Sequence, residues 1–479
     1  MKTTASVRLI LGILMVLVLQ LSTSVKTSAQ DKADRENLAG TWMGRLESGV
    51  MYIRLLFHIN LNDRDTLTAS LESPDQSSMI IPIGLVTYQG DSVIIEAAII
   101  GGRYTGIVRG DRNIDGTWEQ MGMKYPLNLE KQDEPFELNR PQEPKPPFPY
   151  ITEEISIINE KAGITLAGTL TIPEGEGPFP AAILISGSGP QNRDEELMGH
   201  KPFAVIADHL TRNGIVVLRY DDRGVGQSEG NYAIATSADL ATDAEAALIY
   251  LQGHRLVDIK SIGFIGHSEG GLIAPMVASS RPETAFIVSL AGPGVKGEDV
   301  LLKQAEEISL AMGNSVEDSE TARAINRKLY RIIGKTPDSS KAEVKLVKTM
   351  TKELRKIGVE DEVIKERINN LKLTLLGDSY RWFRYFILSE PADYWSKVTC
   401  PVLILNGEKD LQVNPVINTE GIAGALSKGG NNNYTVKIFP GLNHLFQGST
   451  TGLPGEYGTI EETFSPEVLE TISDWILKK

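Results

Sequence analysis

The sequence predicts an α/β domain built on a parallel sheet, preceded by a smaller all-β domain. Three observations carry that reading. From Ala181 onward, short and nearly continuous apolar runs alternate with amphipathic stretches of helical period. Before Glu130 the apolar runs are short, partly alternating, and broken by turn formers about every 8–12 residues. Between the two regions lies a strap dense in proline. A length of 479 residues suits two or three domains at roughly 100–200 residues each.

The chain starts with an address. Lys2 and Arg8 give a basic beginning, Leu9 to Leu21 is an apolar run broken only by Gly12 and Gln20, and Thr27-Ser28-Ala29 supplies small residues for cleavage. This is the layout of a secretory signal peptide over residues 1–29. The run is too short for a membrane span, which needs about 20 apolar residues. No cysteine follows it, which excludes a lipid-modified start. Cleavage removes Lys2, Arg8 and Lys26 and takes the net charge from −14 to −17. The expected location is secreted or periplasmic, with no stable membrane insertion after cleavage.

Residues 30–132 read as the all-β domain, a meander barrel or a sandwich. The runs are Met51–Ile59, Thr66–Leu71, Gly84–Tyr88, Ser92–Ile99, Arg103–Val108 and Lys124–Leu129, with turn formers such as Asn62-Asp63, Gly101-Gly102 and Asp115-Gly116 between them. Trp42 and Trp118 read as core residues. Residues 133–150 hold Pro135, Pro141, Pro144, Pro146, Pro147 and Pro149. That density favours an extended, semi-rigid linker. Residues 151–479 follow as the catalytic domain. Its strands are Ala181–Ile185, Ile215–Tyr220, Ser261–Gly266, Phe286–Leu290, Val402–Asn406 and Thr435–Phe439. Apolar strands joined by helical crossovers imply a sheet covered on both faces. Residues 297–391 are helical and charged, with no strand signal, and stand between two sheet strands as a lid insertion. Their apolar residues are expected to pack against the catalytic core, with a hydrophobic acyl pocket beneath.

Composition narrows the partners. The acidic surface, 62 Asp+Glu against 48 Lys+Arg, repels phosphate backbones and argues against nucleic acid. Cys400 is the sole cysteine, so neither an internal disulfide nor a Cys-rich zinc site is expected. No metal cluster or organic cofactor is expected. Gly187-x-Gly189 is too short for a dinucleotide fingerprint.

The chemistry centres on a G-x-S-x-G pattern, which marks a nucleophilic serine on a sharp turn between strand and helix. Two segments match: Gly226-Gln227-Ser228-Glu229-Gly230 and Gly266-His267-Ser268-Glu269-Gly270. Ser268 directly follows the strand Ser261–Gly266 and directly precedes the helical stretch Gly271–Ala278. Ser228 sits in the polar loop Asp221–Asn231 with no helix beside it. Ser268 is therefore the candidate nucleophile. Its partners should follow in the order acid, then histidine. Of six histidines only His444 lies downstream, in a glycine loop after the last strand. The acid should sit after the preceding strand, where Gly407-Glu408-Lys409-Asp410 offers Asp410, with Glu408 as the alternative. His444 would take the serine proton and Asp410 would orient the imidazole. The oxyanion needs two backbone donors. These are expected from Glu269, after the nucleophile, and from Ser188 in Ser186-Gly187-Ser188-Gly189-Pro190.

Five blocks in order now resemble a known family: Gly187–Pro190 with Arg193-Asp194, Arg219–Gly224, Gly266–Gly271, Gly407–Asp410 and Gly441–His444. The catalytic half is similar to the α/β-hydrolases. Within them it resembles secreted bacterial carboxylesterases labelled serine-aminopeptidase-like hydrolases. The resemblance implies an α/β-hydrolase sheet with a helical lid, and makes Asp221–Gly226 a structural loop beside the active site. Ser186 stands where many relatives have histidine, which leaves the backbone donors intact.

The leading expectation is a serine hydrolase that cleaves small-molecule carboxylic esters of short or medium acyl length. One alternative is a peptidase or aminopeptidase, for which Glu306-Glu307 could grip an amino terminus, although adjacent helix residues diverge and a solvated face is the simpler reading. Another is a non-catalytic envelope or glycan-binding protein with a hydrolase fold.

Overall fold

The computed structural model describes residues 32–478 except 49, 50, 63, 76, 84, 121, 135, 137 and 378. The expected signal peptide lies outside the described residues. The chain divides into two compact units, one ending at Asn139 and one beginning at Arg140.

In the first unit a short helix, α1 (32–38), precedes ten strands. They are β1 (Gly40–Ser48), β2 (Met51–Leu61), β3 (Leu67–Ser73), β4 (Ser77–Ile83), β5 (Leu85–Gln89), β6 (Ser92–Ala97), β7 (Gly102–Arg109), β8 (Asn113–Gln120), β9 (Met123–Pro126) and β10 (Leu129–Gln132). The sheet path runs β4-β3-β2-β1-β10-β8-β7-β6-β5, with β9 paired to β8. Its two ends, β4 and β5, are consecutive in the chain, so the antiparallel sheet curls into a nearly closed barrel rather than a sandwich. Period-two alternation selects the interior: β6 buries Val93, Ile95 and Ala97. Trp42 and Trp118 are core residues as expected, 1% and 2% exposed. Phe57 lies between the aromatic rings, with centroids 5.5 Å from Tyr104 and 6.0 Å from Trp118. The Trp42 indole N–H finds a buried acceptor, donating to the Leu38 carbonyl at 2.8 Å.

The second unit is built on eight strands: β11 (Tyr150–Asn159), β12 (Ile164–Pro173), β13 (Phe179–Ile185), β14 (Val216–Tyr220), β15 (Val257–His267), β16 (Phe286–Leu290), β17 (Val402–Gly407) and β18 (Tyr434–Phe439). Their order is β11-β12-β14-β13-β15-β16-β17-β18. The sheet is parallel from β14 to β18, and β11 and β12 are antiparallel. This is the α/β-hydrolase sheet. Alternate residues of one strand serve opposite faces. Ala181, Ile183 and Ile185 join helices α3 (Ser237–Gln252), α4 (Gly270–Ala278) and α11 (Pro415–Lys428). Ala182 and Leu184 join α2 (Pro202–Arg212) and α12 (Pro466–Leu477). Each of these residues is at most 2% exposed, so both faces are covered and the strands read as unbroken apolar runs.

Between β16 and β17 the chain forms α5 (Gly297–Ala311), α6 (Val316–Lys335), α7 (Ser339–Lys356), α8 (Asp361–Leu375) and α9 (Ser379–Leu388), then a short α10 (Ala392–Trp395). Helices α7 and α8 are parted at Gly358, whose φ of +77° ends α7. These helices touch the sheet domain through Trp382 and Glu307 and also pack on one another. Ile325, Leu329 and Ile333 of α6, four residues apart on one face, meet Ala342, Leu346 and Leu354 of α7 and Tyr380, Phe383 and Ile387 of α9 in a cluster of their own.

The strap changes character along its length. From Arg140 it belongs to the second unit. The Arg140 guanidinium donates to the carbonyls of Met198, Gly458 and Ile460 at 2.8–3.0 Å, and Gln142 Oε1 accepts from the Thr463 and Phe464 amides. Beside them His200 is 1% exposed, with one nitrogen 2.9 Å from the Tyr457 carbonyl and the other 2.9 Å from Thr463 Oγ1. Burial and the nearby Arg140 charge pull its pKa down to about 4, which keeps the ring neutral and fixes the segment 457–463 under the strap.

Candidate active site

Ser268 stands where β15 ends at His267 and α4 begins at Gly270. Its backbone is left-handed, φ +50°, and its N–H donates to the Leu290 carbonyl of the neighbouring strand at 2.9 Å. The flanking glycines are obligatory. A Cβ at Gly266 would fall 2.1 Å from the Gly270 carbonyl oxygen, and one at Gly270 2.1 Å from that of Ile185. A strand can turn this sharply into a helix only where no side chains intervene. Ser268 is half-exposed at the apex.

His444 and Asp410 are brought together. His444 Nδ1 lies 2.8 Å from Asp410 Oδ2, and both residues are buried, 4% and 1% exposed. The second Asp410 oxygen accepts the amides of Gln412 at 2.8 Å and Val413 at 2.9 Å, so the carboxylate has one orientation. Glu408, the alternative acid, is exposed and accepts the Gly441 amide instead. Asn443 ties the base loop together. Its Oδ1 accepts the amides of Leu445 and Gln447, and its Nδ2 donates to Gln447 Oε1 at 3.0 Å. The base loop reaches the elbow through His267, whose Nε2 is 3.1 Å from the His444 carbonyl oxygen. The Ser268 hydroxyl itself makes no hydrogen bond to another described residue.

The oxyanion loop abuts Ser268, since a Cβ on Gly187 would lie 3.2 Å from the Ser268 Cβ. Its amides are unequally occupied. Gly187 N–H donates to Glu195 Oε1 at 2.6 Å and Gly189 N–H to the Tyr232 hydroxyl at 2.8 Å. The amide between them, that of exposed Ser188, has no partner among the described residues, and neither has the Glu269 amide at the start of α4. Ser186 donates to Asp222 at 3.0 Å.

Three features here escaped the sequence reading. The Glu269 side chain is 1% exposed. Its Oε1 accepts from Ser237 Oγ and, at 2.8 Å, from Trp382 Nε1 of α9. Burial raises its pKa, and those two hydrogen bonds offset part of the rise. Trp382 and Phe383 line a cavity of about 580 Å³ together with Ser188, Pro190 and Tyr232. Glu306 and Glu307, read as a solvated face, are instead partly buried and ion-paired. Lys303 Nζ is 3.8 Å from Glu306 and 3.5 Å from Glu307, Arg323 is 3.4 Å from Glu306, and Asn414 donates to Glu307 at 2.6 Å.

Ser228 occupies different ground. It is 9% exposed. Its hydroxyl donates to the Asp221 carbonyl at 2.7 Å and accepts the Ala167 amide at 2.9 Å. Arg193 pairs with Asp221 at 2.8 Å and Arg223 with Asp243 at 2.7 Å, so this segment is architecture. Ser228→Ala should therefore keep activity within about threefold while costing about 1–3 kcal/mol of stability for the amide left unpaired. Ester turnover and urea unfolding of the purified variant check both halves, and loss of turnover in a folded variant would contradict this assignment.

Among the described residues no group of three His, Cys, Asp or Glu side chains is arranged to hold a metal, and no helix is long and apolar enough to cross a membrane.

Comparison with known proteins follows the same region. Esterase EstD of Thermotoga maritima is 28% identical over 318 residues, which cover 65% of this chain and 66% of EstD. The polyketide transferase claH of Penicillium crustosum is 27% identical over 169 residues, 35% of this chain and 53% of that protein. The chain thus spans just under two thirds of the first relative and about half of the second. Est1E of Butyrivibrio proteoclasticus, solved with ferulic acid, superposes with a TM-score of 0.40 at 18% identity, over 68% of this chain and 96% of its own. The family model described as "Serine aminopeptidase, S33" matches residues 200–449, a span that takes in the elbow, the insertion, the acid loop and the base loop. Since that span is more than half of its 479 residues, the chain belongs to the serine aminopeptidase S33 family of hydrolases.

Proposed function

We propose that the protein is a carboxylic ester hydrolase acting on short or medium acyl chains through an acyl-enzyme on Ser268. His444 takes the hydroxyl proton at Nε2 as Oγ attacks the ester carbonyl carbon. The oxyanion is held by the Glu269 and Ser188 amides. His444 then returns the proton to the leaving alkoxide, and alcohol departs. Water, deprotonated by the same nitrogen, attacks the acyl-serine; His444 returns that proton to Ser268 Oγ as the acyl–oxygen bond breaks, and the carboxylic acid is released. Asp410 holds Nδ1 protonated, so that Nε2 carries the lone pair. The observation that carries this reading is the His444–Asp410 hydrogen bond of 2.8 Å, held by a loop anchored to the elbow. The missing serine–imidazole bond is compatible with it, because such bonds often tighten only when substrate arrives.

The acyl group is assigned to the cavity of about 580 Å³ between the oxyanion loop and α9, whose walls include Trp382, Phe383 and Tyr232. A peptidase would need an anionic site for an α-amino group, and the insertion's best pair, Glu306 and Glu307, is already neutralised by Lys303 and Arg323. A panel of p-nitrophenyl esters from acetate to octanoate, run beside aminoacyl p-nitroanilides, tests the choice. We expect ester turnover with a short or medium optimum and anilide turnover at least about 100-fold slower. Anilides cleaved as fast as esters would replace this reading with the peptidase. The basic, apolar N-terminus supports export to the periplasm or beyond. Mass spectrometry of the mature chain should then find its first residue near Gln30, and an intact Met1 would refute export with cleavage.

A further inference from the structure

His267, between the elbow glycine and Ser268, sits in a second imidazole–carboxylate pair beside the first. Its ring is buried, 6% exposed. Nδ1 is 2.9 Å from Glu195 Oε1, Nε2 is 3.1 Å from the His444 carbonyl oxygen, and the His267 and His444 ring centroids are 4.8 Å apart. Both nitrogens therefore face oxygen acceptors. A backbone carbonyl cannot donate, and Glu195 Oε1 already accepts the Gly187 amide. A neutral imidazole has one N–H and could serve only one of the two. The surrounding walls, Phe203, Ile206, Leu290, Leu445 and Phe464, offer no other polar partner. The proton between Nδ1 and Glu195 belongs on the imidazole, the stronger base by about two pK units. Burial pulls the His267 pKa down, but the charge and hydrogen bond of Glu195, helped by the His444 carbonyl and Asp410, outweigh it and raise it.

We propose that His267 is a positioning residue for the reaction above: as an imidazolium paired with Glu195, it ties the oxyanion loop, the elbow and the base loop into one frame and places a positive charge beside the base. The links are specific. Glu195 holds Gly187 and so leaves the next amide, Ser188, presented to the oxyanion. His267 N–H holds the His444 carbonyl and so sets the base loop against Ser268. The charge also faces His444, whose ring centroid is 4.8 Å away, and a cation there opposes a second positive charge beside it. The charged groups around His444 are Asp410 from the acid loop, His267 from the elbow and, beyond His267, Glu195. Glu307 of the insertion and Tyr457 lie close enough to Asp410 to feel its charge.

The role rests on His444 being the base, whereas the charge state of His267 does not, so two measurements separate them. In the full chain labelled with ¹⁵N-histidine, NMR at about pH 7.5, one unit above the ordinary imidazole pKa, should show one of the six histidines still mostly protonated on both nitrogens. Finding none overturns the imidazolium without any variant being made. In ester turnover, His267→Gln leaves Glu195 uncompensated. It should move the acid limb of kcat/KM up by about one pH unit and lower the plateau kcat about tenfold. The double variant His267→Gln/Glu195→Gln removes both charges and should return the limb to within a few tenths of wild type, with kcat still low. A merely structural role predicts unmoved limbs in both variants, and that result overturns the proposal. A wild-type protein without ester turnover overturns the His444 reading and this role with it, whatever the NMR shows.

Discussion

Ser268→Ala should lower kcat/KM for every ester substrate by about 10⁴–10⁶-fold and leave the fold intact. The loss is that large because no other hydroxyl can take over at the elbow. Ser186 is engaged with Asp222 and Ser228 is buried against Asp221 and Ala167. What survives is catalysis by the oxyanion donors and by binding. The fold should not suffer, because the hydroxyl makes no hydrogen bond to another described residue and the half-exposed site opens no core cavity. A change within about 0.5 kcal/mol is expected on those grounds. Stopped-flow assay with p-nitrophenyl butyrate should show the burst of the acyl-enzyme vanish while the circular dichroism spectrum and unfolding midpoint stay put. A variant that turns over at the wild-type rate would end the assignment.

Asp410→Asn should cost about 10³–10⁴-fold in kcat, for a different reason. One Asp410 oxygen is committed to the Gln412 and Val413 amides, so the new amide would keep its carbonyl there and turn its NH₂ toward His444 Nδ1. That nitrogen would then have to accept rather than donate. The ring proton would move to Nε2, the nitrogen that must take the serine proton. The shape of the site survives and its proton logic reverses. Glu408→Gln, two residues away and bonded to the Gly441 amide rather than to His444, should stay within about threefold of wild type. The two losses should not add: with the nucleophile gone, Asp410→Asn on top of Ser268→Ala has little left to remove. Equal activity of Asp410→Asn and wild type would show that the acid lies elsewhere.

Much of this site was legible because its constraints are local. A strand, a one-residue turn and a helix leave no room for side chains at Gly266 and Gly270, and that demand is written in five consecutive letters. His444 and Asp410 were legible from chain order and from their loops after β18 and β17. The buried strands were legible for a related reason: a strand covered on both faces must be apolar throughout. The antiparallel start of the sheet was not. Strand β11 exposes Glu153 and Glu154 and most of its length, so it carries no continuous apolar run. The barrel hid β1, β4 and β8 similarly. Strand β1 interrupts its pattern with Gly44, Arg45 and Glu47, and β8 with Asp115, Gly116 and Glu119. What the sequence could not disclose were pairings between distant residues. Glu195 meets His267 across 72 positions and Glu269 meets Trp382 across 113. No periodicity links such residues; only the closed sheet and its insertion bring them together. Glu306 and Glu307 misled for the same reason, because the lysine that neutralises them is near in sequence but the arginine and asparagine are not.

The helical insertion leaves the sheet after β16 and returns at β17, and those two strands are neighbours in register, Ile287 beside Val402. The excursion carries an apolar cluster of its own, so much of its packing is internal to it. The arrangement works as an exchangeable cassette. Selection or design that rewrites this wall, residue by residue or whole, must rebuild the contacts that seat it each time, the indole of Trp382 on the carboxyl of Glu269 and Asn414 on Glu307 among them.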